Sequence, residues 1–212
     1  MQKKIVPLIA MFAMAIVSFS NLFGIKIAGI SVIIGVVSFF INKAFQKQSF
    51  KDSGFDVKAI RTDLKDRKIW LWIALPLIMN LVCFVISKLF LPEYMKHVLA
   101  RTEIFVSFES VILLVLQLAI LALGEEIAWR AFFQNQLSKI LQIIPTLLIS
   151  SVLFAFGHFT EGNIIIVTYD IFFVFVNSIL YGIIFHKSNN AWISAISHFT
   201  ANLFGIVILM LL

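Results

Sequence analysis

The sequence predicts an all-α, polytopic membrane protein with about seven transmembrane helices, from its composition and the length of its apolar segments. Hydrophobic residues account for 61% of the 212 residues and charged residues for only 13%, whereas roughly a quarter of the residues in soluble domains are charged. The mean hydropathy is +1.02. Several apolar segments reach the roughly 20 helical residues that cross a bilayer. We therefore expect an integral, multi-pass protein embedded in a lipid bilayer.

The first half of the chain, residues 1–103, contains three predicted spans at residues 5–24, 25–41 and 69–90. The N-terminus resembles a signal peptide, because Lys3 and Lys4 precede an apolar run. We expect an uncleaved anchor instead, since that run is long enough to cross a bilayer.

A basic loop at residues 42–68 separates the second and third spans. It contains eight basic residues and four aspartates and so supplies most of the formal net charge of +6. Basic residues between apolar spans suit a membrane surface, which argues against nucleic acid as a partner. By the positive-inside rule the loop is cytoplasmic, and we favour a solvated, topology-setting loop over a dedicated lipid or protein docking site. The basic residues are Lys43, Lys47, Lys51, Lys58, Arg61, Lys65, Arg67 and Lys68.

The second half, residues 104–212, contains the remaining four predicted spans, at residues 104–140, 145–158, 164–185 and 191–212. As one helix, the first of these would measure about 55 Å at 1.5 Å per residue, far more than the bilayer core. Part of it must therefore bend, lie at the interface or project from the membrane.

Two carboxylates and a guanidinium interrupt this apolar sequence at Glu125, Glu126 and Arg130. Ionisable residues inside a membrane are costly, and a functional role is the default hypothesis for them. Helical residues four apart share a face, so Glu126 can pair with Arg130 and Glu125 cannot do so equally well. We expect Glu125 to be the free carboxylate, suited to general acid or base chemistry.

Two histidines in later spans also fall at helical spacing, His158 four residues after Phe154 and His198 four residues before Asn202. If the helices that hold Glu125 and His158 form a hairpin, each residue lies about 25 Å from the turn, so the two would be level. A lone membrane histidine is more often a structural hydrogen-bonding residue than a catalyst. The combination of polar residues favours a functional site.

Three motifs in this order and separation resemble the CPBP family, the CAAX protease and bacteriocin-processing (Abi) intramembrane proteases. The resemblance covers residues 104–212 and includes the stretch at residues 180–185. It implies a protease core of four helices in a bacterial plasma membrane. The motifs are Glu125-Glu126-x-x-x-Arg130, Phe154-x-x-x-His158 and His198-x-x-x-Asn202.

The resemblance implies hydrolysis of a peptide bond in a membrane-associated peptide or protein. Glu125 would be the base that activates water, assisted by His158, while Arg130 would hold Glu126. The expected substrates are those of CAAX-type, bacteriocin or signalling-peptide processing, with self-immunity as a related role. The alternative is a non-enzymatic immunity or regulatory protein that binds a peptide; a proton-relay transporter ranks last because no internal repeat is visible.

The resemblance assigns His198 and Asn202 as hydrogen-bond donors to the developing oxyanion. A zinc ion held by Glu125, His158 and His198, with water at an open position, is a second possible mechanism. The sequence has no His-Glu-x-x-His motif, and the only cysteine, Cys83, lies in an apolar span. We therefore favour a mechanism without a metal or other cofactor.

Two further polar residues are expected to have no role in the chemistry. His97 is predicted to be a surface residue in a connecting segment, and Asp170 a satisfied carboxylate near the membrane interface.

Overall fold

The computed structural model describes residues 2–22, 25–26, 28–104 and 106–211. These residues are helical apart from connecting loops, a 3-10 turn at Val57–Ala59 and one two-stranded hairpin. In chain order the α-helices are α1 (Gln2–Phe19), α2 (Ala28–Gln46), α3 (Ile60–Asp63), α4 (Arg67–Phe90), α5 (Tyr94–Glu103), α6 (Val111–Glu126), α7 (Asn135–Leu137), α8 (Ile143–Gly157), α9 (Ile164–Ser188) and α10 (Ala191–Leu211).

Among the described residues, five helices are long and apolar enough to cross a membrane: α2, α4, the continuous helix Val111–Leu137, α9 and α10. The prediction of a polytopic helical membrane protein is confirmed. The other two predicted spans also form apolar helices, but they are shorter, at Ile5–Phe19 and Ile143–Gly157. Gly24, the predicted end of the first span, lies outside the described residues; on either side of it, strands β1 (Asn21–Leu22) and β2 (Ile25–Lys26) pair antiparallel.

The helix predicted over residues 104–140 begins later than expected and changes its geometry along its length. Ser110 caps its start, where the side-chain oxygen accepts a hydrogen bond from the N–H of Leu113 at 3.5 Å. α6 continues into a π-helical segment, Ile127–Gln134, and then into α7. The continuous helix has 27 residues, at most roughly 40 Å, which a bilayer with its headgroup regions accommodates.

The π segment is buried along its whole length, and the first two helices pack against it. α2 comes closest at Gly35, where an added Cβ would lie 2.5 Å from the Cβ of Ala128. Small residues let membrane helices approach closely, which increases van der Waals contact between them. Helices from the first half of the chain thus support the segment that follows the two glutamates.

The middle of the basic loop is folded onto the turn between α9 and α10. The side chain of Asn190 accepts a hydrogen bond from the N–H of Asp56 at 3.3 Å, and it donates to the Asp56 carbonyl at 2.9 Å and to the Asp63 carboxylate at 2.8 Å. Gly54, which has a left-handed φ of 75°, accepts a hydrogen bond from the N–H of Ala191. The loop is therefore more than a solvated connection, and it fixes the start of α10.

We predict that Asn190→Ala releases this loop, because the substitution removes four hydrogen bonds from a buried side chain, three of them to the loop. Trypsin should then cleave the folded protein after Lys51 or Lys58 several-fold faster than it cleaves the wild type. Asn189→Gly is the matched control, since Asn189 has a left-handed φ of 48° that glycine accepts. Equal cleavage rates for the two variants would contradict the prediction.

Candidate active site

A fully buried ion pair forms the centre of the site. Nε of Arg130 lies 3.3 Å from Oε2 of Glu126, and neither side chain is exposed. Nη2 of Arg130 donates to Oγ of Ser178 on α9 at 2.9 Å, and its guanidinium lies 5.3 Å from the ring centroid of Phe154 on α8. The predicted pairing of Glu126 with Arg130 is confirmed, and three segments of the chain meet at it.

His198 on α10 lies between the two adjacent carboxylates. Its Nδ1 is 3.0 Å from Oε1 of Glu126, and its Nε2 is 3.6 Å from Oε2 of Glu125. Because an ionised carboxylate only accepts hydrogen bonds, Nδ1 must be the donor to Glu126. The ring of Tyr181 stacks on His198 with the centroids 4.4 Å apart and the planes 18° apart, which fixes the orientation of the imidazole.

Glu125 differs from Glu126 in its exposure and in its bonding. Its side chain is 20% exposed, against 0% for Glu126. Within the described parts of the chain it accepts no hydrogen bond, and Nε2 of His198 lies 3.6 Å from its Oε2. This matches the expectation from helical spacing that Glu125 is the freer carboxylate.

His158 follows the last residue of α8 and is half-buried. Its Nδ1 lies 3.0 Å from the carbonyl oxygen of Phe154. A carbonyl can only accept, so Nδ1 carries a hydrogen and Nε2 of the neutral ring is left as an acceptor. The charges of Glu125, Arg101 and Asp170 all act on this ring, so His158 lies within electrostatic range of the glutamate pair and of Asp170.

Asn202 lies one helical turn after His198 on α10 and is half-buried. Its side-chain amide forms no hydrogen bond with any residue that the structure describes. Residues four apart share a helix face, so this amide lies on the same side of α10 as His198. The structure thus brings Glu125, Glu126 and His198 together, with Asn202 next along the same helix face.

Sequence reasoning missed the contribution of α9, which supplies the partners of Arg130 and His198. Ser178 and Tyr181 are three residues apart and lie on one face of the helix. The next residue, Gly182, accepts a hydrogen bond from Nε2 of Gln134 at 2.9 Å, and a Cβ there would lie 2.8 Å from Oε1 of Gln134. The stretch at residues 180–185, part of the resemblance to the protease family, was the one available signal for this face.

A second polar cluster surrounds Asp170 on α9. The carboxylate accepts a hydrogen bond from Nη2 of Arg101 at 3.2 Å and one from the hydroxyl of Tyr94 at 3.3 Å, and Nε2 of His97 lies 3.5 Å away. The expectation of a satisfied carboxylate at Asp170 is confirmed, although it is buried. The prediction of a surface role for His97 is wrong, because its side chain is only 12% exposed and it joins α5 to α9.

The donor atoms needed for a zinc site do not converge in this arrangement. Within residues 2–22, 25–26, 28–104 and 106–211, no three His, Cys, Asp or Glu side chains are placed to hold one metal ion. Nδ1 of His198 is bonded to Glu126, and Nδ1 of His158 to a backbone carbonyl. Only Nε2 of each histidine is left to bind a metal ion, and among the described residues these atoms and Glu125 are not grouped closely enough to hold one.

We predict that Ser178→Ala destabilises the protein more than Ser150→Ala does. Both serines are fully buried, but Ser178 binds a charged guanidinium whereas Ser150 donates only to the Leu147 carbonyl of its own helix. Loss of a hydrogen bond to a charged group costs about 1.5–3 kcal/mol, roughly twice the cost for a neutral bond. Thermal melts of both variants in the same detergent test this, and equal shifts would exclude a special role for Ser178.

Residues 107–204 match the family model described as "Type II CAAX prenyl endopeptidase Rce1-like". This range includes all six candidate site residues, and the protein is an integral, multi-pass membrane protein with apolar helices on both sides of them. No curated protein and no solved structure matches the chain significantly. Residues 107–204, which carry the two adjacent glutamates and both histidines, are thus similar to the Rce1-like type II CAAX prenyl endopeptidase family.

Proposed function

We propose that this protein is an endopeptidase that hydrolyses a peptide bond of a membrane-associated peptide or protein within the bilayer. The observation that carries the proposal is the unequal pair of adjacent glutamates. Glu126 is neutralised by Arg130, while Glu125 remains partly exposed, with Nε2 of His198 3.6 Å from its Oε2. A carboxylate held in this way is suited to accept a proton from water, and the family match supports proteolysis as the reaction.

Glu125 is the proposed general base, and His158 assists it. With Nδ1 of His158 bonded to the Phe154 carbonyl, its Nε2 presents a lone pair that can accept a hydrogen bond from the same water. One proton of the water passes to Glu125 as the water oxygen attacks the substrate carbonyl. The departing amine then takes that proton from Glu125, which restores the carboxylate.

His198 and Asn202 are the proposed donors to the oxyanion that forms on the substrate carbonyl. A protonated His198 keeps its Nδ1 hydrogen on Glu126 and has a second hydrogen, on Nε2, for the reacting centre. The amide of Asn202 lies one turn away on the same face. Preorganised donors in a site that excludes water commonly lower the barrier by about 3–4 kcal/mol each.

The apolar surroundings of this site support a membrane-embedded substrate. Glu125 and His198 lie on helices long enough to span the bilayer, so the scissile bond must enter the membrane to reach them. We propose as substrates prenylated CAAX-type tails, bacteriocin precursors and signalling peptides.

We predict that Glu125→Gln lowers peptide cleavage by about 10²- to 10⁴-fold, because the amide cannot accept the proton from water. The measurement is cleavage of a membrane-peptide library by purified protein in lipid nanodiscs. Glu109→Gln is the matched control, since Glu109 is exposed and its side chain lies outside the cluster. The control should cleave at the wild-type rate, and both variants should melt as the wild type does.

Full cleavage by Glu125→Gln would refute the assignment of the base. If the wild type and both variants bind a peptide equally and none cleaves it, the proposal of an enzyme fails and a peptide-binding role replaces it.

We further propose that the reaction needs no metal, a proposal supported by the poor convergence of the candidate ligands. Cleavage by the wild type should be unchanged after prolonged treatment with a strong chelator such as 1,10-phenanthroline. Loss of cleavage with chelator, restored by added zinc, would contradict this prediction and require the side chains to rearrange around a metal ion.

A further inference from the structure

The basic loop presents seven exposed cationic side chains, which we call the cationic face. They lie at the membrane end where α2 ends and where α4 and α10 begin. None of them is ion-paired with a residue in the described part of the chain. The cationic face consists of Lys47, Lys51, Lys58, Arg61, Lys65, Arg67 and Lys68.

The aspartates of the same loop are occupied by hydrogen bonds within the protein. Asp56 and Asp66 accept hydrogen bonds from the N–H groups of Lys58 and Lys68, where they begin the 3-10 turn and α4. Asp63 accepts from Asn190, and the Asp52 carboxylate accepts from the Ser49 hydroxyl at 2.6 Å. The acidic groups therefore stabilise the loop backbone, and the lysine and arginine heads remain free for an external anion.

The loop holds these charges in a fixed arrangement. Asn190 binds Asp56 and Asp63, and the ring of Phe55 stacks on Trp192 with the centroids 4.9 Å apart and the planes 14° apart. A fixed array loses less conformational entropy when it binds a ligand than a flexible one does.

Exposed apolar side chains lie among the basic residues. Phe45, Phe50, Val57 and Trp70 are each at least half exposed, and the indole N–H of Trp70 donates to the carbonyl of Leu64. Apolar and aromatic side chains mixed with lysines suit the boundary between headgroups and acyl chains, where the apolar parts insert and the cations meet phosphates. A soluble acidic partner would use the charges but leave these apolar side chains in water.

We propose that the cationic face is a binding site for the headgroups of anionic phospholipids in the protein's own membrane. Phosphate and glycerol oxygens would meet the lysine and arginine heads, while Phe50 and Trp70 enter the outer acyl region. The proposal is independent of the proteolytic function, because it rests only on the loop and the turn that anchors it.

The test compares spin-labelled phosphatidylglycerol with spin-labelled phosphatidylcholine around the full-length protein in lipid bilayers, by electron paramagnetic resonance. The wild type should retain phosphatidylglycerol in preference to phosphatidylcholine, and added salt should weaken that preference. Replacing Lys51 and Lys58 with Gln should lower the preference roughly twofold or more. Replacing Lys88 and Lys96 with Gln is the matched control, since these exposed lysines lie in the last turn of α4 and on α5, away from the cationic face, and should leave the preference unchanged.

Equal retention of the two lipids by the wild type would overturn the proposal. An equal loss in the test and control variants would also overturn it, because overall net charge would then account for the preference. Competition by polyglutamate that abolishes the lipid preference would assign the face to a soluble acidic chain instead. A second double variant, Lys65→Gln with Lys68→Gln, should lower the lipid preference to a similar extent. This result would show that the loss is not a local effect of one substitution.

Discussion

The ion pair between Glu126 and Arg130 is fully buried, in a protein whose surroundings are largely lipid. Moving one ion from water into such an interior costs several kcal/mol even after relaxation, and only good geometry and further hydrogen bonds offset it. Those partners come from elsewhere in the chain, since Ser178 accepts from the guanidinium and His198 donates to the carboxylate. The packing of α10 against α6 and of α9 against the π segment therefore depends on this pair, because either helix moving away would leave a buried charge uncompensated.

The π segment supplies the backbone geometry for this arrangement. π-helical turns are rare, and they occur frequently at functional sites. Here the turn starts at Ile127, directly after the glutamates, and all eight of its residues are buried. Neighbouring helices reach it through small residues, Gly35 on α2 and Gly182 on α9, where a Cβ would collide. The first half of the chain lies outside the family match, yet its packing supports the segment on which the candidate site depends.

Local patterns in the sequence predict the helical spans and the Glu126–Arg130 pair. The length of the apolar segments indicates the spans, and the four-residue spacing indicates the pair. The contacts that complete the site join residues far apart in the chain. Ser178 is 48 positions from Arg130, Arg101 is 69 from Asp170, and Asn190 is 134 from Asp56. The periodicity of the sequence does not predict such long-range pairs. The π turn was not predicted either, because the same apolar residues fit an α-helix. For the same reason, His97 was expected at the surface when it lies against Asp170.

The position of His198 between two carboxylates has a consequence for the charge of the site during the proposed reaction. Two ionised glutamates, Arg130 and a protonated His198 sum to zero, a favourable state in a medium that solvates charge poorly. When Glu125 takes a proton from water, it becomes neutral, and the negative charge reappears on the substrate oxyanion. The net charge is zero before and after the step, and only its location changes. The low dielectric then strengthens the bonds from His198 and Asn202 to the oxyanion without imposing a new burial cost. In the proposed mechanism, the buried Glu126–Arg130 pair thus supports catalysis by fixing His198 in place.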